Sequence, residues 1–172
     1  MKKNDLINTV LLGAILFLAS CTAKDGATGP AGAAGTNGNA NVQSVNLTAS
    51  VADWASFGTN NLPGFGYSVT KPVIQLTSGV VNSASITAYV SFDNMVTYTA
   101  IPFTDYSTAI TRSWQFTYKQ NSVTFTFYDS DFKSHPLAVP VYFKVVIIPS
   151  GSLVKNMDHS DYQSVKKAYH LD

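Results

Sequence analysis

Glutamate is missing from this chain of 172 residues; its ten acidic side chains are all aspartate. That removes the commonest acid/base residue of glycoside hydrolysis, although a fold can still bring distant aspartates together. Arginine is reduced to Arg112 among 11 basic side chains, and the formal net charge is +1. Such a chain lacks the clustered Lys/Arg that grips nucleic acid and offers no polybasic patch to a membrane. Cysteine occurs once, at Cys21, which excludes a disulfide framework. There is no Gly-x-Ser-x-Gly elbow and no Walker loop after a strand. His135, His159 and His170 stand apart in the sequence, so no metal and no cofactor is expected. Asp129-Ser130-Asp131 has oxygens of the kind calcium takes, but a plain turn accounts for it as well.

What is present begins at the N-terminus. Lys2 and Lys3 precede an apolar run of nine residues, Val10 to Leu18. That length fits the core of a secretory signal and falls short of the roughly 20 residues needed to cross a bilayer. Leu18-Ala19-Ser20-Cys21 follows at once, in the lipobox pattern of a leucine, two small residues and a cysteine. The thiol of Cys21 would carry a diacylglyceryl group through a thioether. The small residues before it let a peptidase reach the preceding bond. Residues 1–20 are therefore expected to be a lipoprotein signal peptide, and Cys21 the lipid attachment site. Without Lys2, Lys3 and Asp5, the 11 basic and 10 acidic residues become nine of each.

Residues 21–41 form a linker. Gly26, Gly29, Gly32, Gly35 and Gly38 recur at every third position, the spacing of a collagen triple helix. Pro30 is the only proline among these triplets, so little pre-organisation offsets the ordering entropy. A flexible tether is the preferred reading, with a mean span of about 25 Å for roughly 20 residues. A trimer follows only if the segment forms a triple helix.

From Val42 the pattern changes to period-two alternation, and residues 42–172 are expected to be one all-β domain. Val45, Leu47, Ala49 and Val51 share one face; Phe65, Tyr67 and Val69 form a second run. Ile86, Ala88, Val90 and Phe92 precede a turn at Asp93-Asn94, with Val96, Tyr98 and Ala100 on the return strand. Trp114, Phe116 and Tyr118 pair through a turn at Gln120-Asn121 with Val123, Phe125 and Phe127. Val141 to Ile148 is almost continuously apolar between Pro140 and Pro149, as a central strand covered on both faces would be. Seven or eight strands and no long helical pattern predict an antiparallel β-sandwich, immunoglobulin-like or jelly-roll-like. A short C-terminal helix is capped by Ser160 or Asp161 and presents Tyr162, Val165 and Tyr169 on one face.

Several stretches resemble a group of uncharacterised Bacteroidota lipoproteins: Leu18 to Cys21, Gly26 to Gly38, Ile101-Pro102-Phe103, Val145 to Pro149, and Asp161 to Val165. Ser150 stands where a glycine would follow Ile-Ile-Pro in that group. The resemblance implies an anchor, a spacer and a β-rich domain; it brings no assigned activity. With Lys24-Asp25 behind Cys21, it points to the cell envelope, at the outer membrane, with the periplasmic or the exposed face left open.

These features favour a membrane-anchored, non-enzymatic binding or envelope-interaction module whose partner is a glycan or an envelope protein. A second reading is a glycan-binding accessory lipoprotein, with Trp54, Phe57, Phe65 and Tyr67 as stacking rings around a loop rich in glycine and asparagine. A third is a hydrolase using distant aspartates. No catalytic residue is assigned.

Overall fold

The computed structural model describes residues 41–106, 109–154 and 157–171. Residues 1–20, expected to be a signal peptide, together with Cys21 and the glycine ladder, lie outside them. Among the described residues, nine strands form two antiparallel sheets. The first sheet has the order β1 (Gln43–Ala49), β9 (Val141–Ile148), β4 (Ser85–Ser91), β5 (Thr99–Ile101). The second has the order β2 (Ala55–Phe57), β3 (Gly66–Pro72), β8 (Ser122–Asp129), β7 (Arg112–Lys119), β6 (Phe103–Asp105). The run β3-β8-β7-β6 is a Greek key: the chain leaves β3, builds β4 and β5 in the other sheet, and returns at β6.

The β7–β8 hairpin shows how the sequence sets the register. Lys119 pairs with Ser122 across the two-residue connection Gln120-Asn121. Asn121 takes a left-handed conformation, φ 62°, which its short polar side chain tolerates. From there strict alternation turns Val123, Phe125, Phe127 and Asp129 inward. The inner faces of both sheets then meet in one core. Phe125 of β8 stacks on Phe143 of β9 with ring centroids 3.7 Å apart, and Trp114 lies against Trp54, Phe92, Phe127 and Phe143.

β9 is central and covered on both faces, as its unbroken apolar run predicts. Val141, Phe143, Val145 and Ile147 enter the main core. Val146 and Ile148 face outward, yet are buried with Tyr89 under the C-terminal segment. That segment carries helix α2 (Tyr162–Tyr169), whose Tyr162, Val165 and Tyr169 point at the sheet. Asp161 is its N-cap, accepting from the Gln163 and Ser164 N–H groups at 3.0 and 3.3 Å. His170, at φ 52°, ends the helix in a left-handed conformation. The Tyr89 hydroxyl donates to the His159 carbonyl at 2.8 Å, and the Val154 N–H donates to the Tyr169 hydroxyl at 3.2 Å, so the tail is tied down at both ends.

Two sequence expectations need correction. Val96 and Tyr98 are not strand residues: β5 spans only Thr99–Ile101, and Val96 is 72% exposed. The reason is a wide loop. Asn94 and Met95 both take positive φ, and the Asp93 carboxylate holds the Thr97 N–H and hydroxyl at 2.9 and 2.6 Å. Val51 leaves β1 for a 3-10 turn, Val51–Asp53, in which the Asp53 carboxylate accepts the Ser50 N–H. A six-residue helix α1 (Ser78–Ser83), capped by Thr77, was not legible; it bridges the two sheets and lays Val80 and Val81 on the core.

Candidate functional site

The four aromatic residues singled out from sequence do not form one surface. Phe65 and Tyr67 are 6% and 8% exposed and belong to the main core. Tyr67 stacks on Phe127 at 5.0 Å, and its hydroxyl meets Ser134 Oγ at 2.6 Å. A ring that stacks a sugar must show a face to solvent, so these two are corrected to packing residues. Trp54 is half-buried, edge-on to Trp114 and Phe127 at 5.9 and 5.1 Å. Phe57 is half-buried and packs edge-on against Tyr128 at 5.5 Å.

A cleft of about 340 Å³ lies at one end of the second sheet, lined by Asp105, Ile110, Arg112, Asp129 and His135. Register explains it. Asp105 pairs with Arg112 across β6–β7, and Arg112 with Asp129 across β7–β8. The neighbouring row is Phe103, Trp114 and Phe127. Where the aromatic row ends, a charged row closes the end of the core. Arg112 donates from Nε and Nη2 to the two Asp129 oxygens at 2.7 and 2.8 Å, a bidentate fork. Nη2 also donates to the His135 carbonyl at 2.8 Å, and the guanidinium lies 4.3 Å over the Phe127 ring. The Asp129 side chain is 3% exposed and that of Arg112 is 22%.

The chemistry available there is limited by what is already engaged. Both Asp129 oxygens serve Arg112, so a calcium ion at Asp129-Ser130-Asp131 would have to displace a guanidinium. Among the described residues, no three His, Cys or carboxylate groups are placed to hold a metal ion. His135 Nδ1 lies 3.3 Å from Asp129 and 3.6 Å from Asp131, close enough for attraction when protonated, yet it makes no hydrogen bond. No hydroxyl is therefore poised on that nitrogen as a nucleophile would be. The cleft is built as an ion-paired plug that leaves polar groups at its mouth.

Four other aspartates are also engaged in local structure. Lys71 and Ser50 hold Asp53 down to a pKa of about 2. The Thr97 hydroxyl and N–H, with Ser91, hold Asp93 at about 2. Ser160 lowers Asp158, and Ser164 with Gln163 lowers Asp161. Groups with a depressed folded-state pKa contribute stability above their unfolded value, here 3.8, and lose it as the pH falls through the folded value. The melting temperature is therefore expected to be flat above about pH 5 and to fall between about pH 4 and pH 2. Asp93→Asn should shrink the drop in that window. A decline confined to pH 6–7 would contradict this assignment.

Two charged features, one at this cleft and one on the first sheet, escaped the apolar pattern of the sequence. The Arg112–Asp129 pair was within reach of it: counting seven residues back from Lys119 and seven forward from Ser122 places the two opposite each other. Lys144, the one charge inside the apolar run of β9, was the other signal. Comparison of the chain with protein-family models, with curated proteins and with solved structures finds no match.

Proposed function

We propose that the chain is a lipid-anchored protein of the cell envelope, held at the outer membrane through Cys21, whose β-sandwich acts by binding rather than by catalysis. The observation that carries the anchor is Leu18-Ala19-Ser20-Cys21 directly behind a nine-residue apolar run, with Cys21 as the one thiol. Each buried methylene contributes about 0.8 kcal/mol, so two or three acyl chains hold a protein on a bilayer durably. Among the described residues no helix is long and apolar enough to cross a membrane, and lipid on Cys21 would supply attachment without one. The binding role is supported by the engagement of Asp53, Asp93, Asp129, Asp158 and Asp161, among the described residues, in caps, turns and ion pairs.

Cys21→Ala is expected to move the protein from the membrane fraction to the soluble fraction and to abolish incorporation of labelled fatty acid. Wild-type protein that never takes up the label, together with a variant that still sediments with membranes, would overturn the anchor.

A further inference from the structure

Three of the four sheet edges are cut short: β2, β5 and β6 have three residues each. Pro102 follows β5 directly, and β6 ends on Asp105. Shortness, proline and charge are devices that keep an edge from pairing with a foreign strand. β1 has none of them. It is the fourth edge and runs for seven residues, Gln43-Ser-Val-Asn-Leu-Thr-Ala49, without a charge, a proline or a glycine. Its register with β9 is unbroken from Gln43 opposite Ile147 to Ala49 opposite Val141, so no bulge turns the edge away. In an antiparallel ladder every second residue turns its N–H and C=O away from the partner strand. On β1 those outward groups meet no backbone partner among the described residues. Gln43, Ser44, Asn46 and Thr48 are exposed. Val45 and Leu47 pack against the core from the inner face yet stay half-buried, with no strand beside them on the open side.

We propose that β1 is an interaction edge at which a second copy of this chain adds its own β1, antiparallel, about a two-fold axis. The strand itself selects that occupant. For the inner faces of both sheets to stay on one side, each odd-numbered residue must face an odd-numbered one. Such a pairing is centred on a residue, and only Asn46 as centre uses the whole of β1. Asn46 then faces its own copy, Val45 faces Leu47, Ser44 faces Thr48 and Gln43 faces Ala49. Apolar side chains meet on the inner face and hydroxyls on the outer face, as in the cross-strand pairs that stabilise sheets. No charge meets its like. The contact is isologous. It joins two four-stranded sheets into one and covers the open sides of Val45 and Leu47.

The test is sedimentation velocity of the full chain in a non-ionic detergent, across concentrations from about 1 to about 100 µM. A monomer–dimer equilibrium is expected, with a Kd on the order of 10 µM. Asn46→Lys sets two ammonium groups face to face at the two-fold axis and should weaken the dimer about tenfold or more. Asn46→Asp should do the same with two carboxylates. An equimolar mixture of the two variants should restore dimers, which misfolded chains would not do. Oxidative cross-linking in a Cys21→Ala background reads the register and keeps the result separate from the anchor. Asn46→Cys should give a disulfide-linked dimer, because directly opposed residues lie about 4.5–5.5 Å apart at Cα. Ser44→Cys should not, since it lies roughly 13 Å along the strand from its own copy. A trimer, a dimer indifferent to the Asn46 variants, or cross-linking no better at Asn46→Cys than at Ser44→Cys would overturn the pairing. A monomer at every concentration would overturn it too, and would give the edge to a strand from a different protein.

Discussion

Asp129→Ala is expected to lower the unfolding free energy by about 3–5 kcal/mol, read from urea denaturation. The carboxylate is almost wholly buried and answers two guanidinium N–H donors. Removing it leaves Arg112 pinned over Phe127 with a charge that neither water nor protein fully compensates. The complementary result separates pairing from packing. Replacing both residues, Arg112→Met with Asp129→Leu, should cost far less than the single change, because well-packed apolar side chains often substitute for a buried pair with little loss. A single variant within about 1 kcal/mol of the parent would show that the fork does not hold the end of the sandwich.

Trp114→Ala is expected to cost a similar amount, about 3–5 kcal/mol, through loss of buried area and the cavity left behind. Four rings converge on this indole from both sheets and from the loop after β4. They cannot all collapse into the space without losing their own contacts. The midpoint of denaturation should fall while its slope stays unchanged, since the fold and the surface exposed on unfolding are the same. Trp114→Phe should recover more than half of the loss. Equal losses in the two variants would mean that the indole ring is not what the core is fitted around.

The two predictions rest on parts of the fold that sequence discloses unequally. The β7–β8 hairpin, the doubly covered β9 and the tyrosine face of α2 were all legible, because each carries a periodic apolar signal longer than a chance run. The short strands β2 and β6 were not, since three residues give no period to detect, and of the return strand read at Val96, Tyr98 and Ala100 only the end forms β5. The wide loop at residues 92–98 was misread as a strand because Val96 and Tyr98 continue the alternation past the turn. What stops them is the Asp93–Thr97 hook, a local hydrogen-bond preference that apolar patterning does not register. The aromatic cluster around residue 60 failed for a related reason: composition marks rings but not which way β3 turns them, and that depends on pairing with β8. Tyr98 and Tyr162 come to flank Lys144 only through tertiary contact, so no spacing in the sequence announces that arrangement.

The position of the first strand has a mechanical consequence. β1 lies at the edge of the first sheet and is paired along its length with β9, from Gln43 opposite Ile147 to Ala49 opposite Val141. Any pull transmitted through the preceding chain arrives at Gln43. Directed along the strand, it loads all seven register pairs at once, as a shear against a buried central strand. Directed across the sheet, it reaches them one at a time and peels β1 away from the Gln43 end. The resistance of this domain to a pull applied at Gln43 is thus anisotropic, set by the direction of the pull relative to β1.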